Sequence, residues 1–257
     1  MLTIRESQRK TFEERAQQAF EDEMVAHLAE FSPPLFKTLG EAQMRVAVRF
    51  GVDRAAAHDF SFRGPVRLYL EMMLLFGSHF ETDPQYPWAA EMLKNRDVEQ
   101  MERAESLYEK IMDYREKVIG PDDIYALKAL RNVSMLAQQP LLIPSEEFVA
   151  YMRQEIARVY PQKAAYVGQE GIDALIRKGM DGARRQRFST TRAATLIVVL
   201  MLAFGHGCGA DPLYPWINRT LKDELIDNPE VRAKRLEKKA LTWLEHVLTY
   251  FEKETPK

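Results

Sequence analysis

An all-α fold, built from two tandem helical modules joined by a helical linker, is predicted by three observations. Apolar residues recur at helical spacing along almost the whole chain, and no stretch sustains the period-two alternation of a half-buried strand. The second half also repeats the first at a fixed offset. Phe76-Gly77 and Asp83-Pro84-Gln85-Tyr86-Pro87-Trp88 return 128 positions later as Phe204-Gly205 and Asp211-Pro212-Leu213-Tyr214-Pro215-Trp216. The register holds upstream without a gap through Phe20/Phe148, Gly40/Gly168, Arg49/Arg177, Gly51/Gly179, Asp53/Asp181 and Phe60/Phe188. Residues present in both copies are mainly glycine, proline, aromatic and aliphatic, the types that shape a fold. The division that follows is 1–97 for the first module, 98–144 for the linker and 145–257 for the second module with a C-terminal helix.

In the first helix, Phe12, Ala16, Phe20, Met24 and Leu28 form one apolar stripe, and Ser32-Pro33-Pro34 ends it because proline lacks the amide donor. A second helix is expected from about Glu41 to His58, and a third from Ser61 to about Phe80. The hexapeptide reads as a rigid corner: Asp83 caps a turn begun by Pro84, and Pro87 opens the next helix with Trp88 facing inward. Val98, Met101, Ala104, Tyr108, Ile111 and Met112 mark an amphipathic linker helix ending near Gly120-Pro121, and another covers about Asp122 to Gln138. Pro140 to Pro144 forms a short connection, after which Ser145 caps the second module. The last helix, about Pro229 to Phe251, carries Leu236, Ala240, Trp243, Leu244, Val247 and Leu248 on one stripe, and Thr255-Pro256-Lys257 should fray.

A formal charge of −2 supplies no strong field toward nucleic acid or anionic lipid, so neither is expected as a partner. Cys208 is the sole cysteine, which excludes an internal disulfide and fits a reducing compartment. The basic residues near the N-terminus are mixed with acidic ones and no apolar core follows, unlike a signal peptide. Ala193 to Phe204 is too short for the roughly 20 apolar residues of a membrane span. A cytoplasmic protein is expected.

The polar motif present in both halves is Arg-x-Gly-x-Asp-x-Ala, at Arg49, Gly51, Asp53 and Ala55 and at Arg177, Gly179, Asp181 and Ala183. Arginine and aspartate four apart share a helix face and are expected to pair, while the glycine permits a close helix crossing. Gly205-His206-Gly207-Cys208-Gly209-Ala210-Asp211 carries zinc-type ligands. Its counterparts Ser78 and Phe80, for His206 and Cys208, argue instead that Cys208 fills an apolar pocket, so no metal is expected. Glu71 interrupts an apolar helix at the position that Val199 fills in the second half; it is expected to pair with a neighbour such as Arg67 or to sit at the module boundary, with an acid of raised pKa as the alternative. No Walker loop, Gly-x-Ser-x-Gly, His-Glu-x-x-His or paired CxxC is present, so catalysis and a cofactor have no visible seat; an unrecognised site around Glu71, His79 and Asp83 is the enzymatic alternative. Trp88 and Trp216 are expected as core anchors. Arg184, Arg185, Arg187 and Arg192 cluster where the first half has Ala56, Ala57, Asp59 and Gly64, and form the candidate partner-binding surface.

The Met-Leu-Thr-Ile-Arg start, the charged helix after it, Arg-x-Gly-x-Asp-x-Ala and the Phe-Gly to Asp-Pro-x-Tyr-Pro-Trp block together resemble a group of proteobacterial proteins encoded beside type VI secretion effectors. The resemblance covers most of residues 1–95 and, more weakly, 145–223. It implies a cytoplasmic protein that binds a secreted bacterial toxin as an immunity protein, or holds it for loading as an adaptor, and it carries over no catalytic residues. A scaffold whose modules form a homodimer is the remaining alternative.

Overall fold

The computed structural model describes residues 6–139 and 147–254, so Pro140 to Pro144, the Ser145 cap and Thr255-Pro256-Lys257 lie outside the described residues. All regular structure among them is helical, with no strand. The first half contains α1 (Glu6–Phe31), α2 (Pro33–Leu39), α3 (Glu41–Ala57), α4 (Arg63–Phe76) and α5 (Pro87–Lys94). Next come α6 (Gln100–Tyr114) and α7 (Ile124–Ala137), then α8 (Phe148–Val159), α9 (Pro161–Arg185), α10 (Thr191–Phe204), α11 (Pro215–Leu221) and α12 (Pro229–Glu254). None of these helices is long and apolar enough to cross a membrane.

Element ends follow local backbone chemistry. Proline sits in the first turn of α2, α5, α9 and α11, where its missing amide costs nothing. Gly40 separates α2 from α3 at φ +75°, and Gly168 kinks α9 at the same angle. Both α3 and α9 end with a six-to-one bond, Phe60 N–H to Ala55 O and Phe188 N–H to Ala183 O, each 3.0 Å. The intervening residues, Asp59 and Arg187, take the left-handed conformation of such a cap, at φ 60° and 59°. α4 stops at Phe76 rather than continuing to Phe80, because Gly77 turns the chain at φ 89°. α6 runs on as a single π-turn, Arg115–Ile119, before Gly120 ends it.

One apolar core runs through both halves, from Met24 and Leu28 on α1 through Phe76, Tyr86 and Tyr114 to Phe204, Tyr214 and Leu236. The stripe of α1 contributes only from Phe20 onward: Phe12 and Ala16 are exposed, since α3 packs against the C-terminal part of α1. Trp88 and Trp216 are half-buried rather than fully interior, each edge-on to a phenylalanine, Phe76 at 5.7 Å and Phe204 at 6.2 Å.

The motif glycines do mark close crossings, α3 over α4 and α9 over α10. A Cβ on Gly51 would meet the flexible ends of Leu70 and Met73, whereas one on Gly179 would stand 3.1 Å from the Val198 Cα as well as against its side chain. Gly179→Ala is therefore expected to lower stability by about 1–3 kcal/mol, and Gly51→Ala by less because Met73 can swing away. Paired urea melts check this, and equal losses would contradict it.

The expected Arg–Asp pairs within the motif do not form. Arg49 reaches Glu21 on α1 at 2.8 Å, and Asp181 pairs with Arg184 at 3.0 Å, one turn the other way. A partner on a neighbouring helix, buried at Glu21, outcompetes an exposed one on the same face.

α6 and α12 do the same work in their halves. Gln100 Oε1 accepts the Ser61 and Phe62 amides ahead of α4, at 2.8 and 3.0 Å, and Glu230 Oε1 accepts the Ser189 amide ahead of α10, at 2.7 Å. Arg103 donates to His58 O at the end of α3, and Arg232 to Gln186 O at the end of α9, each at 3.0 Å.

Candidate functional site

Of the four arginines singled out, three lie on an exposed corner at the end of α9. Arg184 and Arg185 occupy its last turn, where cations complement the helix dipole, and Arg187 follows in its left-handed cap. The exposed Arg184–Asp181 pair leaves the arginine side chain 71% accessible, so it binds Arg184 only weakly. Arg192 differs. Its guanidinium turns inward to Glu237 on α12, at 2.6 and 2.9 Å, and donates to Ala137 O at 2.9 Å and Gln139 O at 3.3 Å at the end of α7. Arg192 thus clasps three helices, a C-terminal cap in which a cation meets unpaired carbonyls. Sequence adjacency did not reveal this because α7 and α12 are remote in the chain.

Glu71 is engaged by other residues, whereas His79 and Asp83 both border His206, at 6.5 Å between ring centroids and at 3.3 Å from Nδ1 respectively. Glu71 pairs with Arg67, as its spacing predicts, at 3.0 Å, and with His27 on α1 at 2.7 Å. His79 packs edge-on against Phe50 at 5.3 Å, and burial, followed by the charges of Arg54 and His206, lowers the pKa of its imidazole. Asp83 belongs to a different arrangement, in which the two hexapeptides clasp each other's helix ends. Its Oδ1 accepts the Gln85 amide at 2.9 Å, the local turn expected of the corner, while Oδ2 accepts the His206 amide at 2.6 Å. Asp211 answers by accepting the Leu213 amide at 2.8 Å, the Ser78 amide at 2.7 Å and the Ser78 hydroxyl at 2.6 Å. Between them the peptides of Gly77 and Gly205 lie back to back: a Cβ on Gly77 would sit 2.2 Å from Phe204 O, and one on Gly205 2.6 Å from Phe76 O.

Thr82 Oγ1, His206 Nε2 and the Asp83 carboxylate follow one another at 3.3 Å steps, the connectivity of a proton relay. Alignment is poor: His206 Nδ1 is buried without a hydrogen-bond partner, because Asp83 Oδ2 is directed at the backbone amide. The arrangement serves as a structural clasp. Cys208 is buried beside it, as its Phe80 counterpart is, and burial pushes its thiol up to about 12. Among the described residues no group of three or more histidine, cysteine, aspartate or glutamate side chains is placed to hold a metal.

The feature that sequence reading missed is a partly open apolar cavity of about 300 Å³ lined mainly by α7, α10 and α12. Leu130, Leu196, Leu200, Trp243 and Leu244 are among its walls, the Arg192–Glu237 ion pair lies on one side, and Lys163 from the start of α9 reaches it. Lys163 is only 5% exposed. Its Nζ donates to Leu202 O at 2.6 Å and lies 5.7 Å from the Tyr86 ring centroid. Burial lowers its ammonium to about 8, a trend that the charge of Asp83 opposes. The one available signal was that Lys163 stands where the first half has Leu35.

No protein-family model, curated protein sequence or solved structure matches this chain.

Proposed function

We propose that this chain is a cytoplasmic protein-binding module, an immunity protein that neutralises a co-produced type VI secretion effector by direct contact, built from two copies of one ancestral helical unit. Several features support the duplication. α4 and α10 occupy matching spans, Gly77 and Gly205 share dihedral angles near +87° and +155°, and the Asp59 and Arg187 caps coincide. The corner-capping roles of α6 and α12 extend the proposed unit beyond residue 97 to include α6. Their spacing, Gln100 to Glu230 and Arg103 to Arg232, departs from 128, which hid the relation in an ungapped comparison.

The observation that carries the binding reading is a divergent surface on a matching frame. At the same capped corner, one half presents Ala56, Ala57 and Asp59, and the other Arg184, Arg185 and Arg187, all exposed. Exposed arginines on a rigid corner suit an acidic protein face, through bidentate contacts with carboxylates. Co-expression with the adjacent effector should restore growth, and purified chain should capture that effector. Arg184→Glu with Arg185→Glu should weaken capture at least tenfold while the melting temperature stays within about 2 °C, since both are surface sites. Unchanged capture would remove this corner from the interface, and tight capture without growth rescue would establish the adaptor role instead.

A further inference from the structure

The cavity between α7, α10 and α12 has a mostly apolar lining in which the Arg192–Glu237 pair is internally neutralised and Lys163 is the buried cation without a carboxylate partner, and these properties together specify a ligand chemistry. Lys163 occupies a position filled by Leu35 in the first half, where an aliphatic side chain packs on the core. An ammonium in that setting is costly unless paired. Leu202 O takes one of its three donors, and no carboxylate lies within ion-pair distance among the described residues. The nearby Glu237 does not serve it, being engaged with Arg192. The walls contributed by Leu130, Leu196, Leu200 and Trp243 offer contact to hydrocarbon and no further donors of charge. At about 300 Å³ the cavity stands at the lower end of small-ligand sites, which suits an unbranched chain of medium length.

We infer that this cavity binds a free medium-chain fatty acid, its carboxylate at Lys163 and its alkyl chain between α7, α10 and α12. The ligand would supply the missing counter-charge and bury its chain in one step, so affinity depends on both ends of the molecule. This is independent of the immunity reading, which concerns an exposed arginine corner.

Isothermal titration with decanoate, decanol and decylamine tests it on the full chain. Decanoate should saturate at one per chain and bind at least tenfold more tightly than decylamine. Lys163→Met should lower decanoate affinity at least tenfold while leaving decanol unchanged, and should fold at least as stably as the parent because a buried charge is gone. Val199→Phe, which fills the cavity from a half-buried position, should weaken decanoate and decanol alike. Absence of saturable decanoate binding, equal binding of decylamine, or retention of decanoate affinity in either folded variant would overturn the assignment. Should Lys163→Met fail to fold, the parent's preference for decanoate over decylamine and the Val199→Phe loss decide the matter.

Discussion

Gly77→Ala is expected to lower the melting temperature by on the order of 10 °C. Two costs combine. The dihedral angles of Gly77, φ 89° and ψ 154°, lie in a region open essentially to glycine alone, worth roughly 1–3 kcal/mol for any other residue. A Cβ there would also stand 2.2 Å from the backbone oxygen of Phe204, an atom that cannot rotate away as a side chain can. Overpacking against fixed atoms adds roughly 1–3 kcal/mol, and at this chain length each kcal/mol moves the midpoint by about 2–4 °C. Gly205→Ala should behave alike, since its Cβ would meet Phe76 O at 2.6 Å. Gly40→Ala is the control: φ is +75°, yet nothing lies within 4 Å of the added atom, so only the backbone strain is felt. Calorimetric melts of the three variants separate the two costs. If Gly77→Ala lost no more than Gly40→Ala, the back-to-back contact of the two helix ends would not be the tight point of the fold.

Alkaline destabilisation should be the second large effect. Burial raises the hydroxyls of Tyr86, Tyr114 and Tyr214 well above their ordinary value, that of Tyr69 to about 12, and the Cys208 thiol to about 12. In the unfolded chain these groups lose their protons near pH 10 for tyrosine and 8.5 for cysteine. Above those values the unfolded state therefore binds fewer protons than the folded one, and stability falls as pH rises, by up to about 1.4 kcal/mol per pH unit for each group. Lys163 acts in the opposite sense. Its folded pKa is lowered to about 8, so between there and its ordinary value near 10.5 the unfolded chain holds the extra proton, and stability rises with pH. Urea midpoints should change little from pH 7 to about 9 and then drop steeply. A midpoint constant to pH 11 would mean that the tyrosine hydroxyls are not sequestered.

Helix positions were legible because they depend on short segments. Pro87 and Pro229 open helices where they stand in the chain, Ser32-Pro33 ends α1 and Gly120 stops another helix, since the dihedral demands of these residues are local, whereas the short α2 that Pro33 itself opens was not read from the sequence. The corner at Asp83 and the apolar setting of Cys208 were readable for the same reason, helped by the similar residues found 128 positions away in the sequence. The candidate site was legible only in part. Arg184, Arg185 and Arg187 lie together on one exposed corner, but Arg192, a single helical turn beyond the cap, is drawn inward by carbonyls and a carboxylate that sequence spacing does not place. Likewise Arg49 prefers a buried glutamate on α1 to the aspartate four residues along its own helix.

Periodicity, turn chemistry and the repeated spacing of Gly, Pro and aromatic residues were thus enough to determine an all-helical chain, its corners and its close helix crossings. Only the tertiary structure decided that Asp83 and Asp211 hold each other's helix ends, through bonds between residues 123 and 133 positions apart, and that Lys163 lies against an apolar cavity. The physical reason is that hydrogen-bond partners and cavities belong to the spaces between segments. A residue's own neighbours in the chain set its backbone angles, but which groups face it across a core depends on how distant helices pack.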